Sequence, residues 1–538
     1  MLGRPAVGGV SARAEVIPAG LDPGATPSTI VEVLHERAAR TPDRPACVMA
    51  GEALSFGQLH AEALRTARAL ARAGVRRGDR CALVLPTGLA FIRLLFGTQA
   101  LGAIPVAVNP AAPTERTAAA LRLVRARLAV LPAADSAAAG ALAALVPDLR
   151  VHAAEELRAE PGAPGWAPPG PDDVAILLLT SGTSGEPRAA VVRHRSVMAS
   201  VRSSLVRLAV RPDDVFVNWV PLFHSLGLNR FIFGPLYFGC PVHLIPAAVT
   251  NLQSWLETIS RVRATVTGGP DFGYRVAGEF VDPGAVDLRS LRFAMNSGEP
   301  IRLATVERFE ARFGVPGVVR PGYGLAEANG VCTVAPGERL RIDPEGNIGC
   351  GRPLDGLELA IVDEEGHPLP PGSAGEIRVR GEQVFAGYFE DDAATRERLR
   401  DGWLCTGDLG RVDHDGHLYV LGRQRAVIKR GGALIAPRDL EEAAEQVAGV
   451  HRAAAIGVPR ASGLGTEEIV IVAEVDPDRL TTGSRATVHA IGQAVARVRG
   501  FTPTDVVLVA PDAIPRTPNG KVRHEALRQL YMRGDLGR

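Results

Sequence analysis

Apolar residues fall at helical spacing from Thr29 to Arg40 and again from Ser55 to Ala73, and each run ends in turn residues. That periodicity predicts two surface-packed helices. Short apolar runs follow, Arg80 to Leu85 and Pro105 to Val108, separated by longer helical stretches. Strands covered on both faces read as continuous apolar runs, so this alternation predicts parallel strands with crossover helices and hence an α/β domain. From about Ala133 to Asp173 the chain is rich in Ala, Pro and Gly and ends in PGAPGWAPPGPDD, which cannot continue a helix or a central strand. A loop-rich excursion is expected there.

The period changes further on. From Leu357 to Arg380 short alternating runs are separated by the turns DEEGHP and PPGSAG, which predicts an antiparallel sheet or small barrel. VDHDGHLYV, Val412 to Val420, reads as a second hairpin. Beyond Gly422 the order is helix, strand, helix, with a helix from Pro437 to Val447, an apolar run from Glu468 to Val475 and a basic tail. The 538 residues exceed one core, since single cores stop growing near ~250–300 residues. The boundary is placed at Gly422 and Arg423, giving expected domains over 28–422 and 423–538.

Composition narrows the class of protein. The chain is 46% hydrophobic and 22% charged, with 60 Lys plus Arg against 59 Asp plus Glu. Such a balance supplies no long-range field toward nucleic acid or anionic lipid, so small-molecule partners are expected. Cys47, Cys81, Cys240, Cys332, Cys350 and Cys405 lie far apart without a Cys-x-x-Cys pair. Reduced thiols in the cytoplasm fit that spacing better than a zinc site or a disulfide framework. The richest apolar stretch, Cys81 to Val108, is broken by Pro86, Arg93, Gln99 and Pro105, so no membrane span is expected. The first residues lack the apolar core of a secretory signal and read as a frayed tail.

Candidate chemistry begins after the apolar strand VAILLLT. There SGTSGEPR, Ser181 to Arg188, alternates glycines with hydroxyl residues. Such a loop exposes backbone N–H groups and hydroxyls to an anion, although a loop of this composition alone is usually only a turn. It is not the Walker arrangement, because no Gly-Lys-Ser/Thr follows. TSGTSGEPR does resemble the phosphate loop of the adenylate-forming enzymes: acyl-CoA synthetases, fatty acyl-AMP ligases, peptide-synthetase adenylation domains and luciferases. Further matches occur in family order. WVPLFHSLGL (Trp219 to Leu228) resembles the segment beside the substrate carboxylate, GYGLAE (Gly322 to Glu327) the adenine and magnesium motif, and GWLCTGDLG (Gly402 to Gly410) the ribose motif. GRQRAVIKRGG (Gly422 to Gly432) resembles the hinge, and IPRTPNGKVRHEAL (Ile514 to Leu527) the C-terminal lysine loop.

The resemblance implies a large N-terminal domain of α/β layers plus a small β-barrel, followed by a small mobile α+β C-terminal domain. It implies ATP/AMP, Mg²⁺ and coenzyme A as cofactors, with a carboxylic acid or acyl adenylate as the small-molecule partner. Thr180, Ser181, Gly182, Thr183, Ser184, Gly185 and Arg188 would cradle phosphates. Tyr323, flanked by Gly322 and Gly324, would lie against adenine with Gly298, Glu299 and Pro300 nearby. Asp408, assisted by Arg423, would accept the ribose hydroxyls, and Glu327 with Thr180 or Thr183 would hold Mg²⁺, hard oxygen ligands suited to that ion. Lys521 would bring positive charge to the forming acyl-phosphate bond, and His224 would stand beside the substrate carboxylate. The acyl pocket would be lined by Leu228, Phe231, the turn Gly268 to Gly273 and the Gly298 region. These are apolar or small, with no Asp placed where an amino-acid substrate's ammonium would need a partner, so an apolar carboxylic acid is the expected substrate.

Two positions depart from the family pattern. Arg188 stands where most members have Lys, and the hinge reads Arg423, Gln424, Arg425, Ala426 where Arg-x-Lys/Asp-Asp is usual. Both lie in the adenylation machinery, so the alternative is a ligase with impaired adenylation that thioesterifies preformed acyl-AMP. The paired Gly431 and Gly432 stand where acyl-CoA ligases let the backbone approach the pantetheine arm, which favours CoA. NSGEPI, TGGPDFGY and YGLAEA resemble segments of fatty acyl-AMP ligases, which keeps an acyl carrier protein as the second acceptor. A degenerate adenylate-binding module is the non-enzymatic reading, and retention of Glu327, Asp408, Arg423 and Lys521 argues against it.

Overall fold

The computed structural model describes residues 27–132, 136–157, 168–181, 187–246, 251–424, 426–430, 433–459, 467–476, 483–516 and 522–536. Contacts divide the chain into one unit of Met1–Gly268 with Asp282–Ala294, and a second of Gly269–Val281 with Met295–Arg538.

In the first unit, the helices Ile30–Arg40 and Phe56–Arg72 form where the periodicity puts them. Each starts at a capping box, Thr29 with Glu32 and Ser55 with Gln58, so side chains satisfy N–H groups that the helix itself cannot. Five parallel strands follow in the spatial order Arg150–Ala153, Leu128–Leu131, Arg80–Leu83, Ile104–Ala107, Val174–Ser181, and Pro187–Arg193 closes the sheet antiparallel. Another sheet of this unit sets Glu52–Ser55, Pro45–Met49, Val242–Leu244, Phe216–Asn218 and Val266–Gly269 side by side. The expected loop-rich excursion is partly ordered: the helix Ser136–Leu145 and the edge strand Arg150–Ala153 lie within it. SAAAGALAAL is dominated by alanine, the strongest helix former, and that local preference outweighs the Pro-rich surroundings. Residues 158–167, which include much of PGAPGWAPPGPDD, lie outside the described residues.

In the second unit, the helices Asp271–Phe280 and Leu303–Phe313 pack through Tyr274 and Phe309, whose ring centroids are 5.1 Å apart, edge to face. Leu357–Val362, Gly375–Gly381, Trp403–Val412, Leu399–Arg400 and Leu418–Arg423 form a five-stranded antiparallel sheet, as the period-2 pattern predicts. One turn recurs at DPEGN, DEEGH and DHDGH. In each the Asp carboxylate accepts the backbone N–H four residues on, from Asn347, His367 and His417 at 2.7, 2.7 and 2.9 Å. The arginine two residues before one turn pairs with the acids of another: Arg341 with Asp413 and Asp415, Arg411 with Asp343 and Glu345.

The chain's last sheet sets Val450–Pro459 beside Glu467–Val475, and Glu467–Val475 beside Asp505–Val509. Its two faces are both covered. Ala453, Ala455, Ile469 and Ile471 pack on one side against Leu440 and Ile491 of the helices Pro437–Glu445 and Ser484–Arg499, while Ala454, Ile456, Val470 and Val472 face Leu527 of His524–Arg533. Strand alternation produces the two faces. No helix among the described residues is long and apolar enough to cross a membrane.

Candidate active site

Asp408 and Arg423 are directly opposite each other on the neighbouring strands Trp403–Val412 and Leu418–Arg423. Cross-strand partners meet at side-chain range, and Arg423 Nε lies 2.9 Å from Asp408 Oδ1. The other carboxylate oxygen accepts the Tyr323 hydroxyl at 2.6 Å. The Asp408 backbone N–H donates to Thr406 Oγ1 at 3.1 Å, and that hydroxyl donates to the Ile377 carbonyl at 2.6 Å. Asp408 is buried, and burial raises its pKa while Arg423 and Tyr323 oppose that rise. The same burial and the Asp408 charge push the Tyr323 phenol well above its usual range, so it remains a donor. Each Asp408 oxygen has a second lone pair, and a carboxylate so placed can accept two adjacent hydroxyls.

Tyr323 ends the strand Val319–Tyr323, and the chain then turns tightly through Gly324 to Glu327. A side chain at Gly324 would sit 3.0 Å from the Gly330 backbone, so the turn is tightly packed there. Glu327 Oε1 accepts the Tyr388 hydroxyl at 2.7 Å, and the Glu327 carbonyl accepts the Phe385 N–H at 2.8 Å. Its other oxygen has no protein partner among the described residues, which leaves a hard anionic ligand for a divalent cation.

Gly298, with φ +96°, Glu299 and Pro300 follow the buried Asn296. Asp271, at the first turn of its helix, organises that segment: it accepts from Asn296 Nδ2 at 2.9 Å, Thr305 Oγ1 at 3.1 Å and the Arg302 N–H at 3.2 Å. Glu299 accepts the Phe272 N–H. Arg302 in turn pairs with Glu442 at 3.2 Å and Glu445 at 3.0 Å, on the helix Pro437–Glu445.

In the first unit, Val174–Ser181 and Pro187–Arg193 are antiparallel, so the phosphate-loop sequence is their connection. Thr180 is opposite Arg188 in that pairing. Gly182, Thr183, Ser184 and Gly185 lie outside the described residues, as do Gly431, Gly432 and Lys521, and for Ser181 only the backbone is described. His224 immediately precedes the helix Ser225–Leu228, its ring 4.5 Å from that of Phe223. Gly227 lets this turn form, because a Cβ there would sit 2.4 Å from the Pro221 carbonyl oxygen. The helix runs on through a π-helical turn, Asn229–Phe233, which carries the buried Arg230.

Tyr323, Asp408 and Arg423 are thus brought together, with Glu327 held by Tyr388. The sequence reading passed over Tyr388, Asp271 and Arg230. Only Arg230 carries a visible signal, as a lone charge within LGLNRFIFGPLYFG.

A family model described as AMP-binding enzyme matches residues 34–389. The sulfoacetate–CoA ligase of Cupriavidus necator is 32% identical over 509 residues, covering 92% of this chain and 96% of that protein. A feruloyl-CoA synthase of an Amycolatopsis species is 31% identical, covering 92% and 97%. A solved structure from a study of fatty acyl-adenylate ligases of E. coli and L. pneumophila superposes with a TM-score of 0.84 at 27% identity, over 94% of this chain and 98% of that one. With the site geometry, these likenesses establish that the chain belongs to the AMP-binding enzymes of the adenylate-forming superfamily.

Proposed function

We propose that the protein is an acid:CoA ligase that activates a carboxylic acid with ATP as an acyl adenylate and passes the acyl group to the thiol of coenzyme A. The observation that carries this reading is Asp408, oriented by Arg423 at 2.9 Å and Tyr323 at 2.6 Å as an acceptor for a ribose diol. In the first half-reaction a carboxylate oxygen of the acid bonds to the α-phosphorus and the bond to pyrophosphate breaks. Two anions must meet, so the site has to supply positive charge and aligned donors. Arg188, Lys521 and the Thr180 to Gly185 loop are the groups proposed to do so. Glu327, fixed by Tyr388, would hold Mg²⁺ with Thr180, and the ion supplies charge neutralisation on the phosphates. In the second half-reaction the thiol sulfur bonds to the acyl carbon, AMP departs, and the thiol proton leaves to solvent.

Residues 28–422 form the proposed nucleotide- and acyl-binding part, and 423–538 a lid turning about Arg423–Ala426. Coenzyme A is favoured by Gly431 and Gly432 and by relatives named CoA ligases. The likeness to the fatty acyl-adenylate ligase structure supports a carrier protein as the second reading. Six buried free thiols suit a reducing cytoplasm. The test is pyrophosphate exchange over a panel of acids, followed by mass spectrometry of products with CoA and with a phosphopantetheinylated carrier. Thioester on CoA is the expected product. Loading of the carrier alone would move the assignment to the second reading, and no adenylate or thioester with any acid would reject it.

A further inference from the structure

Arg230 is an arginine inside the first unit with no counter-ion among the described residues. It is 7% exposed, and its Nη1 reaches only the Ser200 carbonyl at 3.3 Å and the Ser200 hydroxyl at 3.4 Å. That carbonyl is already shared, since the Ser204 hydroxyl also donates to it, while the Ser203 hydroxyl donates to the Ala199 carbonyl at 2.8 Å. No carboxylate among the described residues pairs with Arg230, and burial alone drives its pKa down to about 10. Among the described residues its Nε and Nη2 make no hydrogen bond to protein. An uncompensated buried guanidinium costs several kcal/mol, far beyond what two long bonds from one nitrogen return. Such a charge is retained where something arrives to pair with it.

The surroundings point the same way. The helix His194–Arg207 buries Ser196, Ser200, Ser203 and Ser204, at 2, 0, 6 and 1% exposure. Spacings of four and three put Ser196, Ser200 and Ser203 on one helix face, so hydroxyls occupy a buried stripe where a packed core would have aliphatic side chains. Arg230 meets that stripe at Ser200. It stands on a π-helical turn six residues beyond His224, and π-turns inside helices re-aim side chains and gather at functional sites. Leu228, Phe231 and Phe233, its neighbours along the chain, are buried and apolar, so Arg230 is a lone charge in an apolar segment.

We infer that Arg230 and the serine face of His194–Arg207 recognise a second anionic group, a carboxylate or sulfonate, at the far end of the acyl substrate. The inference rests on the acid-activating reading above and refines it: the acid is apolar along its body and charged at both ends. A bidentate guanidinium contact through Nε and Nη2 would fit a planar carboxylate.

Binding tests this without requiring turnover. Two non-hydrolysable acyl-sulfamoyl adenosines of equal chain length, one ending in methyl and one in carboxylate, are titrated calorimetrically into the full chain. The carboxylate-ended compound should bind about tenfold to a hundredfold more tightly, the worth of a charged hydrogen-bonded pair. Arg230→Met should abolish or reverse that preference, and Arg230→Lys should keep part of it, with melting curves confirming folded variants. Should Arg230→Met fail to fold, Ser200→Ala should still reduce the preference. Equal binding of the two compounds by the wild type, or an unchanged ratio in folded Arg230→Met, overturns the inference while leaving adenylate binding intact. If neither compound binds, the acid-activating reading falls and this one with it.

Discussion

The Tyr323 hydroxyl donates to Asp408 Oδ2 at 2.6 Å across 85 positions of chain, while Arg423 Nε holds Oδ1 at 2.9 Å. The aromatic residue expected against adenine is therefore also one of two groups that fix Asp408, the proposed ribose acceptor. Ring and hydroxyl can be separated by mutation. Tyr323→Phe keeps the ring and removes the donor, and hydrogen bonds to charged groups contribute about 1.5–3 kcal/mol. AMP affinity, read by calorimetry, should fall about tenfold or more in Tyr323→Phe, and further in Asp408→Ala, where the acceptor itself is lost. An AMP affinity unchanged by Asp408→Ala would remove the ribose role.

Tyr388 and Glu327 make a second separable pair. The Tyr388 hydroxyl bonds Glu327 Oε1 at 2.7 Å, and Tyr388 is itself held by its N–H to Thr395 Oγ1 at 2.9 Å. Groups that orient a metal ligand are worth about 10- to 100-fold in metal affinity or activity when removed. Tyr388→Phe should raise the Mg²⁺ concentration needed for half-maximal pyrophosphate exchange by about tenfold, with AMP binding in the absence of metal unchanged. Loss of metal-free AMP binding as well would show that Tyr388 supports the fold of the site and not Glu327 alone.

The parts of this site legible in the sequence are those carried by contiguous strings. Asp408 and Arg423 flank a hairpin whose turn, DHDGH, announces itself, so their cross-strand meeting follows from local pattern. Tyr388 and Glu327 are 61 positions apart and meet only when the chain segments carrying them are folded against each other. Asp271 has the same difficulty. It reads as one residue of an apolar GGPDFG turn, and only the fold reveals it holding Asn296, Arg302 and Thr305. Composition misled in one place, because the Pro-rich character of 133–173 masked the ten-residue alanine-rich helix within it.

A pH-dependent term lies in the last sheet. His524 Nε2 is 2.6 Å from Glu441 Oε1. Burial disfavours the imidazolium, but the Glu441 carboxylate outweighs burial and raises the His524 pKa above its ordinary 6.5. A group raised on folding stabilises fully below its unfolded value and loses that contribution as pH rises through the folded value. The gap in melting temperature between wild type and His524→Gln should thus be widest near about pH 6 and narrow toward about pH 9. A gap that is constant or widens with pH would show that His524 is neutral in the folded chain.

Arg302 ties the segment after Asn296 to the helix Pro437–Glu445, with Nη1 3.0 Å from Glu445 and Nε 3.2 Å from Glu442. Arg438 adds a bond from Nη1 to the Ile301 carbonyl at 2.9 Å. If residues 423–538 rotate about Arg423–Ala426 between the half-reactions, these contacts belong to one arrangement and must break to reach the other. Arg302→Gln would weaken only the arrangement that contains them. The two half-reactions, assayed separately as pyrophosphate exchange and as thioester formation from supplied acyl adenylate, should then shift in opposite directions, by about threefold to tenfold for ~1 kcal/mol. Lys521→Ala identifies which arrangement is which: it should abolish exchange and spare thioester formation, because the role proposed for its charge is confined to the step that forms the acyl-phosphate bond. If exchange is already weak in the wild type, Arg188→Lys and Ala426→Asp should strengthen it, because both positions depart from the family pattern. Equal losses in both halves for folded Arg302→Gln, together with loss of both halves in Lys521→Ala, would mean that one arrangement serves both steps and that the chain does not alternate.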